Sequence, residues 1–308
     1  ERNFGIPIHY YARVDFEGFK TIVDVIGGVD MAVSCQFRDW RLKSPELDVE
    51  DPDNWEVYTL EPGIYAMDGD LALWYARSRL LSSDFDRGRR QQQLLRAILN
   101  KGVDFGLITQ APALWNTYKD NVETDMDIGR MLQLATLAPD IRRNGVQNLY
   151  LAGKTIPWSS PSGESGAQAT QLPIWEGSGM MEETFARLFR PPSLSRASRA
   201  PITVEIINAS GSDDMARLAA DNLGWYGFVP VISGGQPETT ENVATTLTYY
   251  GPNLKGAYDW LISWVVNMQP ADIIINSDET FLYNYRLILG ADYDPCINQF
   301  YAPQSFGN

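Results

Sequence analysis

WYARSRLLSSDFDRGRRQQQLLRAIL, residues 74–99, is the segment from which the rest of the chain can be read. It holds Arg77, Arg79, Arg87, Arg89, Arg90 and Arg96 against only Asp84 and Asp86, in a chain of formal net charge −14. Cations concentrated on an acidic protein point to a site for one anion rather than to a general property of the surface. From Ser83 onward the pattern is helical. Ser83 reads as an N-cap with Asp86 in the capping-box position, and Gly102 reads as a stop after Lys101. The predicted apolar face is Leu94, Leu95, Ile98 and Leu99, and its continuation toward the N-terminus meets Arg90, Gln91 and Arg87. Burying an unpaired guanidinium is costly, so these groups are expected to face a cavity that holds an anion or a carboxylate. Arg77 and Arg79 point the same way if their segment is extended. Converging arginines suit a phosphate or pyrophosphate, because the planar fork offers paired donors and keeps its charge. Arg89 and Arg96 fall off the inward stripe and read as solvated charges.

At 308 residues, with 44% hydrophobic and 21% charged residues, the chain is long enough and apolar enough for two folded domains. The acidic balance argues against nonspecific nucleic-acid binding, which needs many phosphate-neutralising cations. Cys35 and Cys296 lie far apart and make neither a zinc pattern nor a disulfide framework. The single histidine, His9, excludes multi-histidine metal sites and disfavours a Ser-His-Asp triad; within the strand-like run IHYYARV it reads as structural. No run is long and apolar enough to span a membrane, and no signal-peptide pattern is present. The chain opens at Glu1, without an initiator Met, inside what reads as a structural unit; the expectation is a fragment whose anchor lies upstream.

In chain order, Ile8–Val14 reads as a strand, Asp15 as the cap of a helix carrying Phe19, Ile22, Val23 and Ile26, and Val29–Val33 as a strand after Gly27-Gly28. This pattern predicts a βαβ-like unit with parallel strands. Residues 38–55 are polar and acidic, without EF-hand spacing, and read as a solvated insertion. Asp68 is a candidate cap for a short helix leading into the arginines. Helices are predicted at Leu107–Tyr118, Ile128–Leu137 and Met180–Phe189, and a strand at Asn148–Leu151. The Ser/Gly/Pro-rich stretch 152–179, with Trp158 and Trp175, reads as a long loop whose rings either stack on a glycan or pin the loop to the core. RPPSLSRASRAP, residues 190–201, is a linker by composition. Beyond it, strands at 203–207, 228–232, 245–250, 272–276 and 286–289 alternate with helices at 213–223 and 254–268, which predicts a small α/β domain. The turn NASGSDD before the first of those helices is a weak anion-binding signal, since it lacks a P-loop lysine.

Two motifs, VDFEGFKTIVDVIGGVDMAV (14–33) and MDGDLALWYARSR…SDFDRGRRQQQ (67–93), resemble the LytR-CpsA-Psr (LCP) family of bacterial cell-envelope proteins. EIINASG and LILGADY are similar to the C-terminal domain often attached to that family. The resemblance implies an α/β fold: an LCP-like mixed sheet covered by helices at 1–190, a linker at 191–201 and a smaller α/β domain at 202–300. It implies a phosphotransferase that moves a glycopolymer from a polyprenyl-pyrophosphate carrier onto a peptidoglycan acceptor outside the cytoplasm, from a membrane-anchored protein, with magnesium. Matched to the motif, Arg77, Arg79, Arg87 and Gln91 grip the pyrophosphate, Asp84 orients the arginines, and Arg90 completes the set. The family's magnesium-binding aspartates correspond to residues upstream of Glu1. A second reading is a binding module that holds the same lipid or an anionic wall polymer without turnover. A third, DNA-binding regulation, follows an older label of the family as a transcriptional attenuator; the charge and the lack of a helix-turn-helix context oppose it. The apolar stripe with Phe19 and Ile22 is the expected floor for a lipid tail.

Overall fold

The computed structural model describes residues 6–80, 84–104, 115, 121–144, 155–159, 169–173, 185–186, 202–234, 243–252, 256 and 258–296. Its architecture is mixed α/β. In the first half, β1 (Ala12–Val14) pairs antiparallel with β6 (Val122–Thr124), and β2 (Val29–Val33) with β5 (Gly63–Met67). β3 (Phe37–Leu42) pairs antiparallel with β4 (Trp55–Leu60) in a register that sets Phe37 opposite Leu60. The helices are α1 (Phe16–Val25), α2 (Gly69–Arg77), α3 (Asp84–Asp104), α4 (Ile128–Ala135) and α5 (Ala138–Asn144). Asp15 and Asp68 cap α1 and α2 as expected, accepting from the Gly18 and Leu71 N–H groups. α1 and α2 meet at Gly69, where a Cβ would stand 2.4 Å from the Lys20 carbonyl oxygen, so only glycine allows this approach. Val23, Val29, Met31, Leu60, Met67 and Leu94 form the core between these elements.

The second half is a five-stranded sheet in the order β10-β9-β13-β11-β12. β9 (Thr203–Asn208) lies parallel to β10 (Val229–Ser233) and to β13 (Tyr285–Leu289). β11 (Thr246–Tyr250) runs antiparallel to β13 and parallel to β12 (Ile274–Asn276). α6 (Asp214–Trp225) and α7 (Asp259–Val265) cover it, with Val204, Ile206, Leu223, Leu247, Ile262 and Leu287 in a separate core. The predicted strands fall within two residues of those observed, whereas the helix expected over 254–268 is confined to 259–265.

Several expectations are corrected. β1 and β2 are not a parallel pair: Gly27 and Gly28, at φ 78° and 77°, turn the chain after α1, and each strand finds an antiparallel partner from further along. His9 is exposed and precedes β1, so it holds no core position. The segment 38–55 carries β3 and the start of β4 in a β-hairpin, with Glu46, Asp48, Glu50, Asp51 and Asp53 in the exposed connection and Asp39 half-buried in β3. Within 152–179, Thr155–Ser159 and Ala169–Pro173 form an antiparallel pair, β7 and β8, in place of continuous loop. α3 passes through Gly102 to Asp104, since a helix tolerates an isolated glycine. Ser83, Trp175, the linker, the strand at 148–151 and most of the helices predicted at 107–118 and 180–189 lie outside the described residues.

Cys35 and Cys296 are joined in a disulfide across 261 residues, contrary to the reading that they make no disulfide framework. Spacing carries no signal at that separation; folding alone brings the two together. In the chain-entropy view, a closure of this length restricts the unfolded chain by about 5 kcal/mol.

Candidate functional site

A cleft of about 900 Å³ opens between α1, the C-terminal end of α2, the β3–β4 hairpin and the start of α3. Arg77, Arg79 and Asp84 line it, as do Arg41 and Lys20. The segment holding the first two is not extended throughout. Arg77 is the last residue of α2, and Ser78 leaves the helix at φ −60°, ψ 142°. The two side chains nevertheless share the concavity. Asp39 on β3 fixes the turn by accepting the N–H groups of Arg79 and Leu80 at 2.7 and 3.1 Å.

Arg77 is exposed and stacks over the Phe16 ring at 4.1 Å; it has no carboxylate partner among the described residues. Arg79 and Arg87 both reach Asp84 Oδ1, at 3.0 and 3.2 Å, so two cations share one carboxylate. The hydrogen bond from Arg79, with the charge of Arg87, holds the Asp84 carboxyl below its ordinary range. Asp84 is therefore a fixed counter-charge and a poor proton acceptor. Gln91 is exposed and turns back to donate to the Ala76 carbonyl at 3.2 Å, which places it behind the cleft.

Arg90 is inward, as its position on the helix suggested, but the cavity is not its partner. Its Nε donates to the Tyr75 carbonyl at 2.9 Å, its Nη2 donates to the Ser78 carbonyl, and its guanidinium lies 4.6 Å from the Phe37 ring centroid. Burial lowers its pKa and pushes the neighbouring Tyr75 phenol up to about 12. The expected stripe is thus rotated. Leu94 is buried at 2% exposure, Leu95 lies out at 64%, and Arg89, read as solvated, is buried at 6%. Arg96 is paired with Asp221 at 2.8 Å. Both arginines find partners on α6, about 130 positions away in sequence, where helical periodicity carries no information.

Sequence reasoning missed Arg41, whose Nη2 meets Asp70 at 2.8 Å while its Nε is buried without an acceptor among the described residues. Phe37, Asp39 and Arg41 alternate along β3 and are all half-buried, a period-two signal hidden because the face is polar. The apolar wall of the cleft comes from Phe16, Trp40, Leu42, Val49, Trp55 and Leu80. Phe19 packs into the core, and neither it nor Ile22 lines the cleft. The NASGSDD turn holds its own side chains, and Asp214, its last residue, accepts the Ile64 N–H at 2.9 Å.

The cleft carboxylates do not fit a magnesium site. Glu17 pairs with Lys20, Asp70 with Arg41 and Asp84 with two arginines, while Asp39 accepts backbone N–H groups. Among the described residues no group of three or more His, Cys, Asp or Glu is placed to hold a metal, and no helix is long and apolar enough to cross a membrane.

A model of the LytR_cpsA_psr family matches residues 1–172. The chain is 31% identical over 146 residues to a polyisoprenyl-teichoic acid–peptidoglycan teichoic acid transferase, TagU, of Oceanobacillus iheyensis, covering 47% of this chain and 41% of that protein. It is 30% identical over 157 residues to TagU of Halalkalibacterium halodurans, covering 50% and 46%. Among solved structures, B. subtilis TagV is similar at a TM-score of 0.45 and 24% identity, over 60% of this chain and 64% of that one. The chain spans less than half the length of these two curated relatives.

Proposed function

The chain belongs to the LytR_cpsA_psr family, and from that premise we propose a cell-envelope phosphotransferase that moves a glycopolymer from a polyprenyl-pyrophosphate carrier onto peptidoglycan. The names of the TagU relatives support this substrate pair. The observation that carries the reading is Arg77: a cleft-lining guanidinium on an acidic protein, stacked on Phe16 and with no carboxylate partner among the described residues. Arg79 and Arg87 add a second positive centre around Asp84.

An acceptor hydroxyl attacks the glycan-linked phosphorus. A phosphorus–oxygen bond forms to the acceptor, the phosphoanhydride bond breaks, polyprenyl phosphate leaves and the hydroxyl proton is lost. Arg77 and Arg79 neutralise the charge that grows on the leaving phosphate, as donors already held at the cleft before the reaction begins. Trp40, Leu42, Val49 and Leu80 offer apolar surface to the first isoprene units, and the volume suits a lipid headgroup with part of its tail. The Cys35–Cys296 disulfide fits a protein that works outside a reducing cytosol.

A second reading, binding without turnover, is favoured by the engagement of every cleft carboxylate with a cation or a backbone N–H. One assay separates the two: the full-length protein with a polyprenyl-pyrophosphate-linked glycan, peptidoglycan and magnesium. Transfer that falls about 10²-fold in Arg77→Ala is the expected result. Binding with no product supports the second reading, and transfer unchanged in Arg77→Ala removes that arginine from the chemistry.

A further inference from the structure

The arginine helix has a second face turned away from the cleft, where Arg89, Gln93 and Arg96 reach side chains of the C-terminal half. Asn222 on α6, 1% exposed, accepts from Arg89 Nη2 at 3.0 Å and from Ser34 Oγ at 3.2 Å, and its amide donates to the Pro295 carbonyl at 3.0 Å. Beside it, Asp221 accepts from Gln93 at 2.7 Å and from Arg96 at 2.8 Å. The Trp225 ring lies under both guanidinium groups, at 5.0 Å from Arg89 and 5.6 Å from Arg96. A buried amide that bonds three separated segments is costly to leave unsatisfied, so it holds them in one arrangement.

Two lines of contact run from this junction to the Arg77-Ser78-Arg79 segment. Along the first, Arg89 is followed on α3 by Arg90, which grips the Tyr75 and Ser78 carbonyls. Along the second, Pro295 and Ser34 flank the Cys35–Cys296 disulfide, and the chain runs on from Cys35 into β3. There Phe37 packs edge-on against Tyr75 at 5.0 Å, and Asp39 holds the Arg79 and Leu80 N–H groups. Both supports of the cleft arginines are therefore anchored in the C-terminal half.

We infer that α6 braces the site: Asn222 and Asp221 are positioning residues that set the spacing of Arg77, Arg79 and Arg87 for a diphosphate. The identity of the ligand rests on the function proposed above; the brace itself does not. Correct spacing matters because paired donors recognise two phosphates only at a fixed separation.

The test uses the full chain with its disulfide intact and two readouts: calorimetric binding of geranylgeranyl pyrophosphate, and amide hydrogen exchange at residues 75–80. Asn222→Ala and Asp221→Ala are expected to weaken binding about tenfold and to speed exchange at 75–80 by a similar factor at temperatures where each variant is fully folded. Asp221→Glu, which keeps the acceptor, recovers both. Arg217→Ala, which removes the exposed contact with Asp30 between the same halves at 3.3 Å, changes neither more than about twofold. Should Asn222→Ala fail to fold, Asp221→Ala decides. Wild-type affinity and wild-type exchange in a folded Asp221→Ala overturn the brace. If no form of the protein binds the pyrophosphate, the proposed function falls, and exchange at 75–80 alone still decides the brace.

Discussion

Two sets of arginines occupy neighbouring stretches of one chain and have opposite fates. Arg77 and Arg79 line the cleft and Arg87 meets it through Asp84, with one stacked on a ring and two sharing a carboxylate. Arg89, Arg90 and Arg96 are sealed into packed contacts with a side-chain amide, two backbone carbonyls and an aspartate. Charge does not separate the sets; the supply of acceptors does. Where the fold provides acceptors of its own, the guanidinium is structural, and where it provides too few, the positive charge stays open to solvent.

The largest effect is expected where the sealed set is cut. Arg90→Ala leaves the Tyr75 and Ser78 carbonyls without their donor and empties a space beside Phe37, at a cost of about 3 to 4 kcal/mol in urea denaturation. A loss below about 1 kcal/mol would erase the distinction between the sets. Next comes the rotation of α3. Leu94→Ala, at a site 2% exposed, is expected to cost about 2.5 kcal/mol, and Leu95→Ala, at a site 64% exposed, under about 0.5 kcal/mol. Equal values would restore the face read from periodicity. The smallest effect sharpens the open set. Because Arg79 and Arg87 depress the Asp84 pKa, Asp84 stays ionised above its ordinary value of 3.8 and takes a proton only as pH falls through a lower one. The contribution of the Arg79–Asp84–Arg87 cluster is thus complete above that ordinary value and lost below it. In Arg79→Ala the carboxyl should titrate closer to 3.8 by carbon-detected NMR, and an unshifted titration would deny the contact.

What the sequence made legible was local. Asp15 and Asp68 show as caps because a short acceptor before an apolar repeat has one good use. The strands of the C-terminal half stand out because their apolar runs are bounded by turn residues. The cleft was legible in Arg77, Arg79 and Asp84, less so in Arg87, which meets it through Asp84, and not in Arg41, whose strand reads as polar loop because its half-buried face borders the cleft. Gln91 and Arg90 were assigned to the anion side, and the structure gives them to carbonyls. The adjacent pair Leu94-Leu95 leaves the helix phase ambiguous by one position; the packing of Leu94 into the core beside Met31 and Met67, together with Asn222 and Asp221, settles it. Contacts across such distances leave no periodic trace, and the same holds for the two cysteines.

The bond between Cys35 and Cys296 makes everything between them a covalent circle. A protease that cuts once within the circle opens it without releasing a fragment. The arginine segment and the helix that supports it stay on one molecule after such a nick, and both hydrolysis and reduction are needed to part them. In the cell-envelope role proposed above, that is tolerance of damage conferred by connectivity alone.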